Sequence, residues 1–251
     1  MEADERRFRK IQIKSTAHQP KSDMSRQTKK ILFMKKTIFI FLLSVCCFQM
    51  SGLTQKSRVG FSLTGGLATM RGTVNGVKEK GLYTPGFGVG FFVDAPIKNS
   101  KFSFQPAIQY IQKGKVEQEL LGVLQPKISA ELRYAEMLFN FVYNTGGSAG
   151  GFFIGVGPTL SFNLPSKQVT ETSDGTKTET DLSFGNEVAN AYRGIDYGAN
   201  LVMGYRLKGG FFVSANGTLG LRNLIPANSL ATGDLKNTNF GLNLGWLINN
   251  K

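Results

Sequence analysis

Residues 151–164 read Gly-Phe-Phe-Ile-Gly-Val-Gly-Pro-Thr-Leu-Ser-Phe-Asn-Leu, and large apolar side chains occupy every second position of this stretch. Small or polar residues such as Gly155, Gly157 and Ser161 lie between them. Because successive side chains of a β-strand point to opposite faces, this alternation predicts a strand. One face of that strand is bulky and apolar, and the other is small or polar.

Seven other segments of the chain repeat this period of two, so the sequence predicts an all-β domain. The eight segments are 58–70, 82–96, 102–115, 129–144, 151–164, 195–208, 211–221 and 238–249. Several contain 11–14 residues, whereas strands of soluble sheets usually have about 5–6 and tilted membrane-spanning strands about 9–11. The 30 glycines are spread through every apolar segment, which disfavours a helical bundle.

The polar face of these segments distinguishes a membrane barrel from a soluble one. A soluble barrel or sandwich fills its core with the apolar face and exposes charged residues outside. Here the polar face is made of glycine, serine, asparagine and glutamine with few charges. Small side chains suit the crowded interior of a narrow barrel whose apolar face meets lipid. A soluble ligand-binding barrel with its apolar face inside remains the alternative.

The connections between segments alternate strictly in length. Short connections at 97–101, 145–150 and 209–210 alternate with four connections of about 11 to 30 residues. Short periplasmic turns, longer external loops and an even strand number are the rule for outer-membrane barrels. The spacing therefore predicts an eight-stranded antiparallel transmembrane barrel of up-and-down topology, with both termini on the periplasmic side.

The first 54 residues have the pattern of an export signal preceded by a polar extension. Met34 and two lysines precede an apolar run at 38–50, followed by small residues at 51–54. A basic start, an apolar run of about 7–15 residues and small residues near a cleavage site are typical of a signal peptide. We interpret 1–33 as a mis-assigned upstream extension, 34–54 as the signal peptide and 55–251 as the barrel domain. A genuine cytoplasmic extension and an inner-membrane anchor are the alternatives.

Charge and residue usage exclude several function classes for 55–251. The formal charge of +13 falls to +6 once 1–54 are set aside, and no basic cluster remains, so nucleic-acid binding is not expected. His18 is the only histidine, and both cysteines, Cys46 and Cys47, also lie in the leader. Catalysis that uses histidine as a base, a cysteine nucleophile and a zinc site are therefore not expected. We expect a non-enzymatic protein without a cofactor.

Two groups of residues are candidate functional positions inside the barrel. The alternation places Glu136, Asp196 and Arg206 on the inward faces of their strands, and we expect them to form an interior polar network. The alternative is a small proton or ion path along the same groups.

A Gly-Phe-Phe motif recurs at 90–92, 151–153 and 210–212. The parity of each motif predicts that Phe92, Phe153 and Phe212 converge inside as a plug near the periplasmic mouth. A locally shifted register is the alternative.

The long connections are the expected sites of partner recognition, because loops on a rigid scaffold commonly carry binding residues. They comprise 116–125, 165–193 and 222–236, of which 165–193 is expected to be an exposed flexible segment. We expect contacts with outer-membrane lipid, with the barrel assembly machinery and with an envelope protein bound through the loops.

Several short motifs together resemble the PorT-like outer-membrane β-barrel family across nearly all of 55–251. They are Gly60-Phe-Ser-Leu-Thr-Gly-Gly-Leu67, Phe104-Gln-Pro106 with Tyr110-Ile-Gln-Lys-Gly114, Gly155-Val-Gly-Pro158, Asp196-Tyr-Gly198 and Asn239-Phe-Gly-Leu-Asn-Leu-Gly-Trp246. Departures from the family pattern are Ala107 after the Gln-Pro pair, the absence of a proline in 134–138 and the non-aromatic end at Lys251.

The resemblance implies the barrel fold and an outer-membrane location. The residues themselves, without a histidine or cysteine in 55–251, favour a non-catalytic protein that presents its loops, anchors a partner or supports envelope or secretion machinery. A narrow channel or small-ligand carrier is the alternative, and an envelope enzyme with a base other than histidine is a further one.

Overall fold

The structure is a computed structural model that describes residues 57–80, 82–98, 100–117, 127–146, 150–172 and 174–248. The proposed upstream extension and signal peptide lie outside these residues. Eleven strands are described. They are β1 Arg58–Val74, β2 Val77–Lys80, β3 Thr84–Pro96, β4 Phe102–Glu117, β5 Lys127–Asn144, β6 Gly151–Asn163, β7 Ser166–Glu171, β8 Lys177–Leu182, β9 Ile195–Arg206, β10 Phe211–Gly220 and β11 Gly233–Ile248. Within the described ranges, no helix is long and apolar enough to cross a membrane.

Eight of these strands close into an antiparallel barrel in which each strand pairs with the next. The ring runs β1, β3, β4, β5, β6, β9, β10 and β11, and β11 pairs back onto β1 along its whole length. All eight correspond to predicted segments, so the predicted fold is confirmed. Closure leaves no unpaired strand edge in the barrel wall, which hydrocarbon requires because unpaired amides are costly there.

The two faces of the wall are those that parity predicts. Ile154, Leu201 and Leu244 are outward and 44–53% exposed, so they do not pack around a dry centre. Asn200, Ser214 and similar small or polar residues are buried inside. Residues directly opposite in an antiparallel pair share a face, so the closed register carries this division around the ring. The apolar face is therefore the one that meets lipid.

The connections define two ends of the barrel, which we call the short-turn end and the loop end. The short-turn end holds the connections at 97–101, 145–150 and 207–210, the start of β1 and the end of β11. The loop end holds 75–83, 164–194 and 221–232.

Strand pairing extends beyond the predicted segments at the loop end. β1 continues to Val74 and β11 begins at Gly233, where they pair with one another. β2 folds back on β1 after a turn in which Asn75 and Gly76 both have positive φ. β7 pairs with the first residues of β5, and β8 pairs with β7. The expectation of an exposed flexible segment at 165–193 is therefore wrong in part, because 166–182 form a paired hairpin.

Candidate functional site: the barrel lumen

Three phenylalanine rings meet inside the barrel near the short-turn end. The Phe212 ring lies 5.7 Å from that of Phe92 and 6.0 Å from that of Phe153, measured between centroids. Both contacts are edge-to-face, with interplanar angles of 74° and 84°. This is a favoured arrangement of aromatic pairs. The structure thus brings together all three residues of the candidate plug.

Each ring of this plug lies over a glycine on the neighbouring strand. The cross-strand pairs are Gly60 with Phe92, Gly204 with Phe153 and Gly245 with Phe212. A Cβ atom on any of these glycines would overlap the ring opposite it. The missing side chains make the space that lets three aromatic rings fit inside a narrow barrel.

An ionic cluster lies next to the plug at the short-turn end. Asp94 is fully buried and accepts hydrogen bonds from Arg58 Nη2 at 2.5 Å and from Gln105 Nε2 at 2.8 Å. Arg206 Nη1 lies 3.9 Å from the same carboxylate. Because a buried carboxylate is costly unless it is paired, two guanidinium groups and an amide stabilise Asp94 in this position.

A second polar cluster crosses the interior toward the loop end. Gln109, Glu136, Ser161 and Asp196 form one row across β4, β5, β6 and β9. The fully buried Glu136 accepts hydrogen bonds from Lys113 Nζ, from Ser161 Oγ at 2.5 Å and from Gln109 Nε2 at 2.9 Å. Its negative charge therefore has one cation and two neutral donors.

Asp196, in the same row, is bound by Asn237, whose Nδ2 donates to Asp196 Oδ2 at 2.9 Å. The same amide nitrogen lies 3.3 Å from the hydroxyl oxygen of Tyr134. Asp196 Oδ1 is buried and has no hydrogen-bond partner among the described residues.

The three residues of the expected interior network therefore belong to two clusters. Glu136 and Asp196 share a row, but Arg206 lies ten residues from Asp196 along β9, about 33 Å at the rise of a strand. Arg206 contacts Asp94 instead. All three side chains are buried, but parity carries no information about height along the barrel axis.

A cavity of about 90 Å³ with a mixed apolar and polar lining lies against the rings of the plug. Asn243 accepts a hydrogen bond from Thr64 at 2.7 Å and donates one to Ser214 at 3.0 Å. Asn200 donates to Asn140 at 3.1 Å. Two pairs of lining side chains, Asn140 with Asn200 and Ser214 with Asn243, are therefore bonded across the wall. The Oδ1 atom of Asn216, also in the lining, is buried without a hydrogen-bond partner among the described residues.

An apolar lid lies at the loop end. Leu224 and Ile225, from the connection between β10 and β11, are 0% and 8% exposed. They pack against five buried side chains of the wall, namely Met70, Ile111, Leu132, Tyr134 and Leu235. Asn223 fixes this connection, because its Oδ1 accepts from the backbone N–H groups of Ile225 and Leu235, each at 3.0 Å.

A family comparison agrees with this architecture. The family model described as outer membrane protein beta-barrel domain matches residues 49–226. The chain belongs to this family. The match supports an outer-membrane location. Among curated proteins, none gives a significant match.

Solved structures similar to this outer membrane beta-barrel protein share the barrel fold at low identity. Ail of Yersinia pestis, in complex with the heparin analogue sucrose octasulfate, has 12% identity and a TM-score of 0.40, over 77% of this chain and all of that one. Neisserial surface protein A has 8% identity and a TM-score of 0.38, over 74% of this chain and 96% of that one. The N-terminal β-barrel domain of Pseudomonas aeruginosa OprF has 9% identity and a TM-score of 0.33, over 76% of this chain and 100% of that one.

Several lumenal residues of the beta-barrel domain were missed by the sequence reasoning. Lys113 is 2% exposed and Lys115 is 4% exposed, and both point inward. The alternation that places Gln105 and Gln109 inside continues to both lysines, so parity could have found them. Across the part of the chain that the structure describes, no three His, Cys, Asp or Glu side chains lie close enough together to hold a metal ion.

The β7–β8 hairpin carries exposed ionic groups outside the barrel. A hydrogen bond and the charge of Lys167 hold the pKa of Glu179 below its ordinary value, and the same contacts raise the pKa of Lys167. At the turn, hydrogen bonds from the Thr176 backbone N–H and the Thr172 hydroxyl lower the pKa of Asp174. These contacts favour the charged, paired form of the hairpin at neutral pH.

Proposed function

We propose that this outer membrane beta-barrel protein is non-catalytic and non-conducting. It acts through its loop-end surface, as a PorT-like support or anchor for envelope or secretion machinery. One observation carries the proposal: the lumen is occupied at two heights, by the phenylalanine plug and by the apolar lid. A solute path would have to displace both.

The interior ionisable groups support a structural role for the lumen. Glu136 and Asp94 each have cationic and neutral donors within bonding distance. Carboxylates held in this way are poor general bases, because bonding to the charged form favours it. This argues against Glu136 and Asp94 as the base of a proton path or of an envelope enzyme.

The loop end supports the assignment of function to the exterior. The β7–β8 hairpin extends the sheet past the barrel wall, and most of its β8 side chains are exposed. Longer loops of outer-membrane barrels face outward from the cell, so this hairpin is the surface offered to an envelope partner. Residues 34–54, in this proposal, are the signal peptide that directs export.

Conductance of the purified barrel in planar lipid bilayers tests the non-conducting role. We expect insertion, shown by heat-modifiable gel mobility, without current steps above those of protein-free bilayers. Reproducible steps would favour the alternative, a narrow channel or small-ligand carrier, and would refute the proposal.

A second experiment tests the role of the loop surface. Replacing residues 166–182 with a short Gly-Ser linker should leave the heat-modifiable barrel in the outer membrane, but this variant should fail to restore the envelope or secretion function that a deletion strain lacks. Full complementation by this variant would contradict a role for the hairpin.

A further inference from the structure

A cleft of about 280 Å³ lies on the outer wall of the barrel near the loop end. It is formed where β2 folds back beside β1, next to β11 and β10. Its outward-facing lining includes Thr69, Arg71, Tyr83, Leu219, Thr238 and Phe240. The inward-facing Met70 and Glu79 close the cleft on its inner side. The cleft shares no lining residue with the β7–β8 hairpin, and the proposed function makes no use of it.

The register of β1 and β11 arranges this wall in three rows of different chemistry. Leu67 pairs with Phe240, Thr69 with Thr238, and Arg71 with Lys236. Successive rows are two residues apart, about 7 Å along a strand. Moving toward the loop end, the wall therefore changes from apolar side chains to hydroxyl groups and then to cations.

This order matches an amphiphile embedded in the membrane leaflet at that end. Leu67 and Phe240 are 49% and 50% exposed on the lipid-facing surface and can contact acyl chains. Basic residues just beyond the apolar band attract the anionic headgroups of lipids. Arg71 in particular presents a planar fork that fits phosphate oxygens.

One atom of the hydroxyl row also requires a partner. Thr238 is only 4% exposed, and its Oγ1 is buried without a hydrogen-bond partner among the described residues. A buried hydroxyl without a partner costs about 1–3 kcal/mol. An oxygen of a lipid headgroup or ester placed in the cleft would accept its hydrogen bond.

The acidic residues nearby are already engaged with cations. Glu79, which also lines the cleft, accepts from Lys115 at 3.2 Å, and Asp234 lies 3.0 Å from Lys236. Arg71 is exposed at the rim of the cleft. The rim therefore keeps positive charge available for an anion.

We propose that this cleft binds a lipid with a phosphate monoester headgroup from the leaflet at the loop end. Arg71 and Lys236 contact the phosphate, Thr238 donates a hydrogen bond to a headgroup or ester oxygen, and the acyl chains follow Leu67 and Phe240. The proposal rests on the outer-membrane location, and it holds or fails independently of the role of the hairpin.

Native mass spectrometry of the detergent-solubilised full chain tests the proposal, with dioleoyl phosphatidic acid as the probe. We expect saturable binding of phosphatidic acid and weaker binding of dioleoyl phosphatidylcholine. Millimolar inorganic phosphate should not displace the lipid. Displacement by inorganic phosphate, or equal binding of the two lipids, would overturn the proposal.

Variants of the cleft locate the site. Arg71→Gln and Lys236→Gln should each weaken binding about five-fold, while Lys98→Gln, an exposed lysine at the short-turn end, should leave it unchanged. Thr238→Val should weaken lipid binding without lowering barrel stability, because it removes an unpaired hydroxyl at nearly constant shape. Unchanged affinity in all three cleft variants, each with wild-type heat-modifiable mobility, would refute the site.

Discussion

Truncation of the central ring of the plug should destabilise the barrel and open its short-turn end. Phe212 is 7% exposed and contacts both other rings, so Phe212→Ala removes two edge-to-face contacts together with the buried side chain. Each ring pair contributes about 0.5–1.5 kcal/mol beyond burial, and Phe→Ala in a packed interior costs about 3–5 kcal/mol in total.

The matched control is Phe91→Ala, a lipid-facing ring that is 61% exposed and precedes Phe92. This variant loses transfer free energy of about 1.5–3 kcal/mol but leaves no interior cavity. Urea unfolding in lipid vesicles, followed by the fluorescence of Trp246, the only tryptophan, measures both losses. We expect the larger loss for Phe212→Ala.

A thiol at the cavity reports whether the short-turn end has opened. Ser62 lines the cavity one inward step beyond Gly60, and the two native cysteines, Cys46 and Cys47, lie outside the described residues. In a Ser62→Cys background, Phe212→Ala should accelerate labelling by a small methanethiosulfonate reagent, and Phe91→Ala should not. Equal labelling in the two variants, with a loss of stability no larger for Phe212→Ala, would refute the plug.

The same ring can be displaced from the glycine beneath it. A Cβ on Gly245 would overlap the Phe212 ring and also the backbone carbonyl oxygen of Phe61, whereas a Cβ on Gly65 meets no atom within 4 Å. Overpacking of this kind costs about 1–3 kcal/mol. Gly245→Ala should therefore lower the unfolding free energy by that amount, and Gly65→Ala should not.

Three other predictions address the polar groups and the lid. Lys113→Met should cost about 3–5 kcal/mol in urea unfolding because it leaves Glu136 buried without its cation, and adding Glu136→Gln should recover much of the loss. In an NMR titration, the pKa of the Glu179 carboxyl should lie below the ordinary value of about 4.3 and should return to that value in Lys167→Met. The stabilisation of the hairpin by the Lys167–Glu179 pair is therefore present above the ordinary pKa and is lost as the pH falls through the lowered pKa. Asn223→Ala should accelerate hydrogen exchange of the lid backbone, because each lost hydrogen bond contributes about 0.5–1.5 kcal/mol, and unchanged exchange would show that the lid is held by packing alone.

The barrel wall was predictable because its alternation is continuous through the apolar band. Two loop-end hairpins were missed although each carries a turn signal. Asn75-Gly76 and Asp174-Gly175 are dipeptides typical of tight hairpin turns, and Asn75, Gly76 and Gly175 have positive φ. The strands beside these turns lie outside the apolar band, so both of their faces carry polar residues. They therefore lack the alternation of apolar and polar side chains on which the prediction depended.

The content of the lumen was only partly predictable for a different reason. Parity predicts that the side chains of Phe92, Asp196 and Arg206 point inward, but the residues that each of them contacts depend on the register of the neighbouring strands. The lid was not predictable at all, because Leu224 and Ile225 lie in a connection without alternation and are buried only by tertiary contacts.

The pattern of the interior explains why activity should be sought outside the barrel. A narrow lumen leaves little room, and glycines must lie beneath the rings of the plug. The buried charges then have to be paired with one another, as Asp94 is with Arg58 and Glu136 with Lys113. An interior that is filled and paired in this way stabilises the barrel but offers few groups to a substrate. The exposed hairpin and the outward-facing residues of the cleft lie outside that packing, so substitutions there should cost little stability.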